Sequence, residues 1–352
     1  MVRTAIIMAG GAGERFWPLS RPDHPKQLLC LTGSGKTMLE EAVNRIAPLV
    51  GLEHTFISTV PHLVAPISRS SAGVAEDRII AEPAKRNTAG ALSWSAACLL
   101  ARYGDQPLSM SIVTADHRIE PDSAFHSTVR SALEVVEGQG GLATIGIVPD
   151  RPETGYGYIE SGEVDATLGV RVHRVKSFRE KPHLEVAKEY VSSGSYLWNS
   201  GMFFWTMHSF LEELDAASPE HAAFIRSAAP LLAEGRTEGA SELFQSLPNI
   251  SIDYALMEKA RRVYVAEAAF AWDDLGSWDS LHRVRPQDDA GNVTEGKTGL
   301  LECVRSVVVN NSSKQGVYAI GLDNLVVVVT DDVVMICPAD RAQEVRRLGA
   351  IS

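Results

Sequence analysis

The sequence has only four cysteines, and no apolar run in it reaches membrane-spanning length. The cysteines lie far apart and form no CxxC pair, so we expect neither a disulfide framework nor a cysteine-based zinc site. The ten histidines contain no HxxxH or HExxH spacing, which removes the common signature of a catalytic zinc site. An N-terminal signal pattern is also missing. These absences predict a cytoplasmic protein with reduced thiols and no membrane partner.

An excess of basic residues is missing as well, because 33 basic and 44 acidic residues give a net charge of −11. Proteins that bind nucleic acid usually present a basic surface, so nucleic acid is not an expected partner. A chain of 352 residues exceeds the usual size of a single hydrophobic core. We therefore predict a large domain over residues 1–288 and a smaller β-rich domain with a final helix over residues 289–352.

The stretch from Thr4 to Gln27, TAIIMAGGAGERFWPLSRPDHPKQ, organises the rest of the sequence. Residues 5–8 form a short apolar run of the kind found in strands that are buried on both faces of a sheet. The glycines within residues 10–13 can bring backbone N–H groups close to an anion. Arg15 and Lys26 then supply two cations, so the stretch predicts a polyphosphate site. A tight turn with ordinary surface charges is the alternative that composition alone leaves open.

A second glycine-rich stretch, LTGSGKT at residues 31–37, only partly matches a Walker A motif. That motif needs a glycine five residues before Gly35, and the sequence has Cys30 there. We therefore interpret the stretch as a turn before a helix that Thr37 caps. A P-loop NTPase is kept as a distant alternative.

Short apolar strands and amphipathic helices alternate from residue 37 to residue 147. This alternation predicts an α/β fold in which a mixed, mostly parallel sheet carries helices on both faces. In such sheets, ligands bind beyond the carboxyl ends of the strands. Gly10, Glu82 and Asp116 each follow a predicted strand, so we expect them at one edge of the sheet.

From residue 292 onward the sequence is rich in β-branched residues. Runs at Val307–Asn310, Val317–Ile320, Leu325–Val329 and Val333–Ile336 are separated by Asn, Gly and Asp, which indicates stacked rungs or a small sandwich. A short helix that begins at Asp340 and carries three arginines is predicted to follow them.

Two acidic positions fit a divalent metal. Asp116 comes directly after a predicted strand, and Asp273 and Asp274 stand together in the sequence WDDLGSW. Mg²⁺ prefers one or two carboxylates together with phosphate oxygens and water, so Asp116 and Asp274 are a sensible pair. Periodicity does not say which of Asp273 and Asp274 points inward, and a turn aspartate is the alternative for Asp116.

Further positions suit substrate contacts. Lys181 follows a predicted strand and could neutralise a second phosphate, the alternative being a surface lysine paired with Glu180. Asn199, in the stretch WNSGM, offers an amide beside an aromatic side chain, as carbohydrate sites do. Glu82 carries a carboxylate that suits the paired hydrogen-bond donors on the edge of a guanine base.

The stretch GGAGERFWPLSRPDHPKQ resembles the signature of the sugar-1-phosphate nucleotidyltransferases, and its tryptophan and PKQ ending are similar to the mannose-1-phosphate guanylyltransferase branch. The resemblance covers residues 6–278 and continues through EPAKRNT, ADH, ETGYGYI, FREKP, WNSGMF, SIDY with MEK, and WDDLGSW. It implies a Rossmann-like, GT-A-like nucleotidyltransferase domain and a small left-handed β-helix-like domain. A homodimer and a Mg²⁺ cofactor are also implied.

The resemblance further implies roles for individual residues, with one small departure at Thr114, where relatives commonly have proline or serine. The implied catalytic residues are Arg15, Lys26, Asp116, Lys181 and Asp274, of which Asp116 and Asp274 hold the metal. The implied nucleotide-binding residues are Ala9, Gly10, Gly11, Gly13, Glu82, Pro83, Asn87 and Thr88. The residues implied to bind the sugar phosphate are Gly157, Glu180, Lys181 and Asn199.

The resulting hypothesis is an enzyme that transfers GMP from GTP to α-D-mannose 1-phosphate and releases pyrophosphate. One alternative keeps this chemistry but uses another nucleotide or another sugar 1-phosphate, such as a heptose or glucose derivative. Another is a non-catalytic sensor of nucleotide sugars. Bifunctional relatives carry an additional cupin-like domain, and because the sequence ends at Ser352 without one, we expect no isomerase activity.

Overall fold

The computed structural model describes residues 1–70, 73–349 and 351, so the predicted end of the second domain at Ser352 lies outside the described residues. Its strands are β1 (Val2–Met8), β2 (Thr55–Thr59), β3 (Ile79–Ala81), β4 (Leu108–Thr114), β5 (Arg118–Glu120), β6 (Leu142–Ile147), β7 (Tyr158–Thr167), β8 (Arg171–Arg179), β9 (Tyr196–Thr206), β10 (Val263–Glu267), β11 (Ala271–Asp273), β12 (Val293–Glu295), β13 (Thr298–Leu301), β14 (Val307–Asn310), β15 (Val317–Ile320), β16 (Leu325–Val329) and β17 (Val334–Pro338). Its α-helices are α1 (Met38–Val50), α2 (Val64–Ser70), α3 (Asn87–Tyr103), α4 (Asp122–Gln139), α5 (Leu184–Ser193), α6 (Met207–Ala217), α7 (Pro219–Ala233), α8 (Thr237–Gln245) and α9 (Leu281–Val284).

The main sheet has the strand order β3-β2-β1-β4-β9-β6-β10-β8-β7. Strands β3, β2, β1 and β4 pair in parallel, and so do β6 and β10. Strands β9 and β8 run against all of their neighbours. The prediction of an α/β fold around a mixed sheet is confirmed.

Alternation along β1 explains why helices cover both faces of this sheet. Ala5 and Ile7 enter the hydrophobic core that contains residues of α1 and α4, whereas Ile6 enters the core that contains residues of α3 and α7. All three side chains are fully buried. Such a strand reads as a continuous apolar run because neither face meets water.

The C-terminal strands stack in two short sheets. Strands β12, β14 and β16 pair in parallel, β17 closes this sheet in the antiparallel direction, and β13 pairs with β15 in parallel. The predicted rungs at Val307–Asn310, Val317–Ile320 and Leu325–Val329 are confirmed as β14, β15 and β16. Parallel stacking in register corresponds to the predicted β-helix-like arrangement.

A third hydrophobic core joins these C-terminal strands to the N-terminal loop. Phe16 and Trp278 are fully buried there together with Val307 and Val326. The Trp278 indole N–H also donates to the backbone oxygen of Trp17 at 3.0 Å. The glycine-rich loop therefore rests directly on the C-terminal part of the chain.

Within the part of the chain that the structure describes, no helix is long and apolar enough to span a membrane.

Candidate active site

Strands β3, β2, β1 and β4 lie side by side in this order and run parallel to one another. The loops that follow β1, β3 and β4 therefore leave the sheet at the same edge. Gly10, Glu82 and Asp116 lie in these loops. Three adjoining cavities open at this edge. We call them the central cavity, the aromatic cavity and the Glu82 cavity.

The central cavity has a volume of about 380 Å³. It brings together five residues predicted from the sequence, which are Gly13, Arg15, Lys26, Asp116 and Asp274. They come from two loops near the N-terminus, from the end of β4 and from the end of β11. Two cations and two carboxylates that are distant in the sequence thus share one space.

Lys26 lies at the floor of the central cavity and is 5% exposed. Its Nζ donates to Oδ2 of Asp116 at 2.8 Å and to the backbone oxygen of Asp274 at 2.6 Å. A glycine is required opposite it, because Gly13 has φ +62° and a Cβ there would overlap the Cβ of Lys26. Gly10 and Gly11 face open space instead, so their backbones are accessible from the Glu82 cavity, which they line.

Arg15 is held by the loop after β11, since its Nη1 donates to the backbone oxygen of Gly276 at 3.0 Å. Burial raises the pKa of Asp116, but the Lys26 ammonium outweighs this effect, and the pKa lies below its ordinary value. Asp116 is therefore ionised at neutral pH.

The structure separates the two adjacent aspartates. Asp273 is 7% exposed, and its Oδ2 accepts from Arg283 Nε at 2.6 Å while its Oδ1 accepts from the Leu275 backbone N–H at 2.8 Å. Asp274 instead lines both the central and the aromatic cavity. Its Oδ1 accepts from the Tyr156 hydroxyl at 2.6 Å. Asp274 is therefore the aspartate that points inward.

The donor set fits a divalent metal. Among the described residues, no side chain donates a hydrogen bond to Oδ1 of Asp116 or to Oδ2 of Asp274, although the second oxygen of each carboxylate is bonded. Two carboxylates with one open oxygen each match the preference of Mg²⁺, which completes its octahedron with phosphate oxygens and water.

The aromatic cavity, of about 280 Å³, is walled by Tyr156 and Trp272 and contains the predicted residues Gly157, Glu180 and Asn199. A Cβ at Gly157 would lie 2.5 Å from Oε2 of Glu180, so the glycine leaves room for that carboxylate. Lys181 pairs with Glu180 through a short contact and keeps an exposed side chain. Lys181 is absent from the described lining of all three cavities.

Asp253 also lines the aromatic cavity. The Asn199 amide donates to its Oδ1 at 3.0 Å, which fixes the orientation of the amide. Burial and the nearby Glu180 carboxylate raise the pKa of Asp253 to about 6. Asp253, Glu180 and Asn199 together offer several acceptors and a donor for hydroxyl groups.

The Glu82 cavity is the largest of the three, at about 560 Å³, and its lining includes Gly10, Gly11, Glu82, Asn87 and Thr88. Glu82 is 8% exposed, and its buried Oε2 has no hydrogen-bond partner among the described residues. Burial raises the pKa of Glu82 to about 7, although the Lys85 ammonium opposes this. A buried acceptor that lacks a donor points to a ligand that supplies one.

Two residues implied for the nucleotide do not line these cavities in the described chain, namely Ala9 and Pro83. Ala9 is buried, and its backbone oxygen accepts from Gln27 at 2.7 Å and from Thr59 at 3.0 Å. It therefore holds the start of the glycine-rich loop against β2.

Five polar lining residues that were not predicted are Lys85, His117, Tyr156, Asp253 and Arg346. The first four stand inside or beside motifs that the sequence analysis quoted, so their neighbours in the sequence were the available signal. The Trp272 indole N–H donates to Nδ1 of His117 at 3.1 Å. Because burial also lowers the pKa of His117, its neutral ring carries the proton on Nε2.

Comparisons with known proteins identify the family of this chain. A model of the nucleotidyl transferase family matches residues 4–291, and a model of the MannoseP isomerase/GMP-like beta-helix domain matches residues 301–348. A mannose-1-phosphate guanylyltransferase of Klebsiella pneumoniae is 38% identical over 346 residues, which cover 97% of this chain and 72% of that protein. The alginate biosynthesis protein AlgA of Pseudomonas aeruginosa is 39% identical over 97% of this chain and 70% of that protein.

Among solved structures, one described as a mannose-1-phosphate geranyltransferase from Thermus thermophilus superimposes with a TM-score of 0.88. It is 36% identical, and the match covers 100% of this chain and 99% of that chain. The similarity thus includes both the main sheet and the C-terminal strands. The chain belongs to the nucleotidyl transferase family, in its mannose-1-phosphate guanylyltransferase branch.

Proposed function

We propose that this chain transfers GMP from GTP to α-D-mannose 1-phosphate, giving GDP-mannose and pyrophosphate. The observation that carries the proposal is the continuity of the three cavities. Lys85 lines both the Glu82 cavity and the central cavity, and His117 and Asp274 line both the central cavity and the aromatic cavity. A base, a chain of phosphates and a hexose can therefore occupy one connected site.

The reaction needs no protein nucleophile, because the attacking phosphate of the sugar is already an anion. Its oxygen forms a bond to the α-phosphorus of GTP while the bond from that phosphorus to pyrophosphate breaks on the opposite side. The protein contributes alignment and positive charge. Arg15 and Lys26, fixed by the carbonyl groups of Gly276 and Asp274, stabilise the negative charge that collects on the departing pyrophosphate.

Asp116 and Asp274 would hold a Mg²⁺ ion, whose charge, when bound, lowers the repulsion between phosphate oxygens. Lys26 keeps Asp116 ionised and oriented, and the Tyr156 hydroxyl orients Asp274 through its hydrogen bond. These contacts fix two carboxylates before substrate arrives, so little reorganisation is needed when it binds.

In the aromatic cavity we assign the hexose hydroxyl groups to Glu180 and Asn199, with the bare backbone of Gly157 beside them. Lys181 is assigned to the sugar phosphate. Its ammonium group, whose side chain is 60% exposed, must then leave Glu180, whose side chain is 9% exposed, and turn toward the central cavity.

A substrate panel tests this function directly. Purified protein is incubated with Mg²⁺, each of several nucleoside triphosphates and each of several sugar 1-phosphates, and pyrophosphate release is measured. We expect GTP with mannose 1-phosphate to be the best pair. Faster turnover with a heptose or glucose 1-phosphate would assign another sugar substrate, and no release with any pair would favour a sensor.

A homodimer in the cytoplasm is also proposed, and light scattering on the purified protein tests the oligomeric state.

Replacing Glu82 by glutamine is expected to weaken the preference for guanine. The variant keeps the shape of the side chain but turns one acceptor oxygen into a donor, which then faces the N–H donors of the base. We expect kcat/KM for GTP to fall about 10- to 100-fold, the scale of one unsatisfied hydrogen bond. With ATP, whose ring nitrogen accepts, kcat/KM should hold or rise. An unchanged ratio of GTP to ATP use would remove Glu82 from base recognition.

The pH dependence of GTP binding provides a second test of Glu82. Its pKa is raised to about 7 in the free protein, and only the ionised carboxylate accepts two hydrogen bonds. We expect KM for GTP to rise by about tenfold from pH 8 to pH 6, because the competent form becomes a minor species. The terminal phosphate of GTP titrates near pH ~6 as well, so the Glu82→Gln variant is the control. Equal pH profiles for the two proteins would contradict the assignment.

A further inference from the structure

The last helix of the chain, a 3-10 helix over Ala339–Arg347, carries three arginines with different surroundings. Arg341 and Arg347 both pair with Glu344, at 2.7 Å and 2.9 Å. Arg346 has no carboxylate within 4.0 Å among the residues that the structure describes. Its side chain instead lines the central cavity, together with Arg15, Lys26 and Asp116.

The position of this helix is fixed by its buried face. Ala342 and Val345 are buried in the same core as Phe16 and Trp278. The side chain of Gln343 donates to the Ser277 hydroxyl at 2.9 Å. The helix is thus packed on the two loops that form the central cavity, and Arg346 is presented at a defined place on its rim.

That place is the end of the central cavity away from the aromatic cavity. Arg346 also lines a further cavity of about 430 Å³ beside Trp17 and Arg21, whereas the described lining of the aromatic cavity does not include it. In an in-line displacement, the attacking and leaving oxygens lie on opposite sides of the phosphorus. With the sugar phosphate on the aromatic side, Arg346 lies on the side from which pyrophosphate leaves.

We propose that Arg346 binds the β- and γ-phosphates of GTP and the pyrophosphate formed from them. The C-terminal part of the chain would then both support the substrate site and contribute a residue to it. This inference rests on the proposed function for the identity of the ligand. Arginine suits the role because its planar guanidinium can donate two parallel hydrogen bonds to one phosphate, and no competing carboxylate in the described chain occupies it.

The test compares Arg346→Ala with Arg347→Ala, which removes the same charge from the next position of the same helix. In the reverse reaction, from GDP-mannose and pyrophosphate, we expect Arg346→Ala to raise KM for pyrophosphate by about tenfold or more, as for loss of a charge-assisted hydrogen bond. KM for GTP should rise similarly. KM for GDP-mannose and for mannose 1-phosphate should stay unchanged, because neither molecule contains the leaving pyrophosphate. Arg347→Ala should leave all four constants unchanged.

Arg346→Lys should recover part of the affinity, and the midpoint of thermal unfolding should match that of the wild type because the Arg346 side chain is exposed. Equal constants for the two alanine variants, or a rise in KM for GDP-mannose alone, would overturn the inference and leave the proposed function intact. If the wild type shows no turnover, the proposed function fails. Calorimetric titration with inorganic pyrophosphate then still tests the role of Arg346. Binding to Arg346→Ala that is as tight as binding to the wild type would refute that role.

Discussion

Replacing Lys26 by methionine is expected to lower kcat by at least about 100-fold, the scale of losing one preorganised charge contact in a transition state. Methionine keeps most of the length and apolar volume of the side chain but has no charge. The variant loses the cation that contacts both Asp116 and the backbone oxygen of Asp274. In the proposed mechanism, both the stabilisation of the leaving pyrophosphate and the position of Asp116 depend on this one ammonium group.

Lys36→Met is the matched control. Lys36 lies in the glycine-rich turn before α1, is exposed, and is absent from the described lining of the three cavities. Pyrophosphate release by this variant should equal that of the wild type. Rates are compared below the unfolding midpoint of each protein, because Lys26 is buried and its replacement also affects stability. Loss of activity in Lys36→Met with normal turnover in Lys26→Met would move the phosphate site to the turn and revive the P-loop alternative.

The second large effect is expected at the adjacent aspartates, where two isosteric changes should have opposite consequences. Asp274→Asn should lower kcat by about 100- to 1000-fold, because a charge is lost where the central and aromatic cavities meet. Its stability should change little, since the asparagine oxygen still accepts from Tyr156. The measurements are pyrophosphate release and the free energy of unfolding in denaturant.

Asp273→Asn should instead reduce the free energy of unfolding. Asp273 is buried against Arg283, and removing one charge of such a pair costs ~2–3 kcal/mol here, less than for a fully buried pair because Arg283 is partly exposed. Below its unfolding transition this variant should retain most of its turnover. An inactive but stable Asp273→Asn, or an active Asp274→Asn, would reverse the assignment of the two aspartates.

The packing of Phe16, Trp278 and Val345 also bears on the division of the chain. These residues lie in one hydrophobic core with the valines of β14 and β16. The boundary after residue 288 stays a prediction. The shared core nevertheless packs the C-terminal strands with Phe16, the residue next to Arg15.

Sequence information was sufficient for the elements whose causes are local or follow from a topological rule. The β-branched runs bounded by turn residues form β14, β15 and β16 with the predicted bounds. Gly10, Glu82 and Asp116 could be placed at one edge of the sheet because the carboxyl ends of parallel strands meet there. The family resemblance then supplied expected roles that spacing alone could not.

Contacts between distant parts of the chain became visible only in the folded molecule. Asp273 and Asp274 are neighbours with the same chemistry, and what distinguishes them is that Arg283 and Tyr156 approach from different sides. No sequence pattern connects Arg346 with Arg15, since the two line one cavity only because Val345 packs in the core of Phe16 and Trp278. Hydrophobic burial is non-directional, so the amino-acid pattern showed which side chains would be buried, and the packing alone showed which of them met.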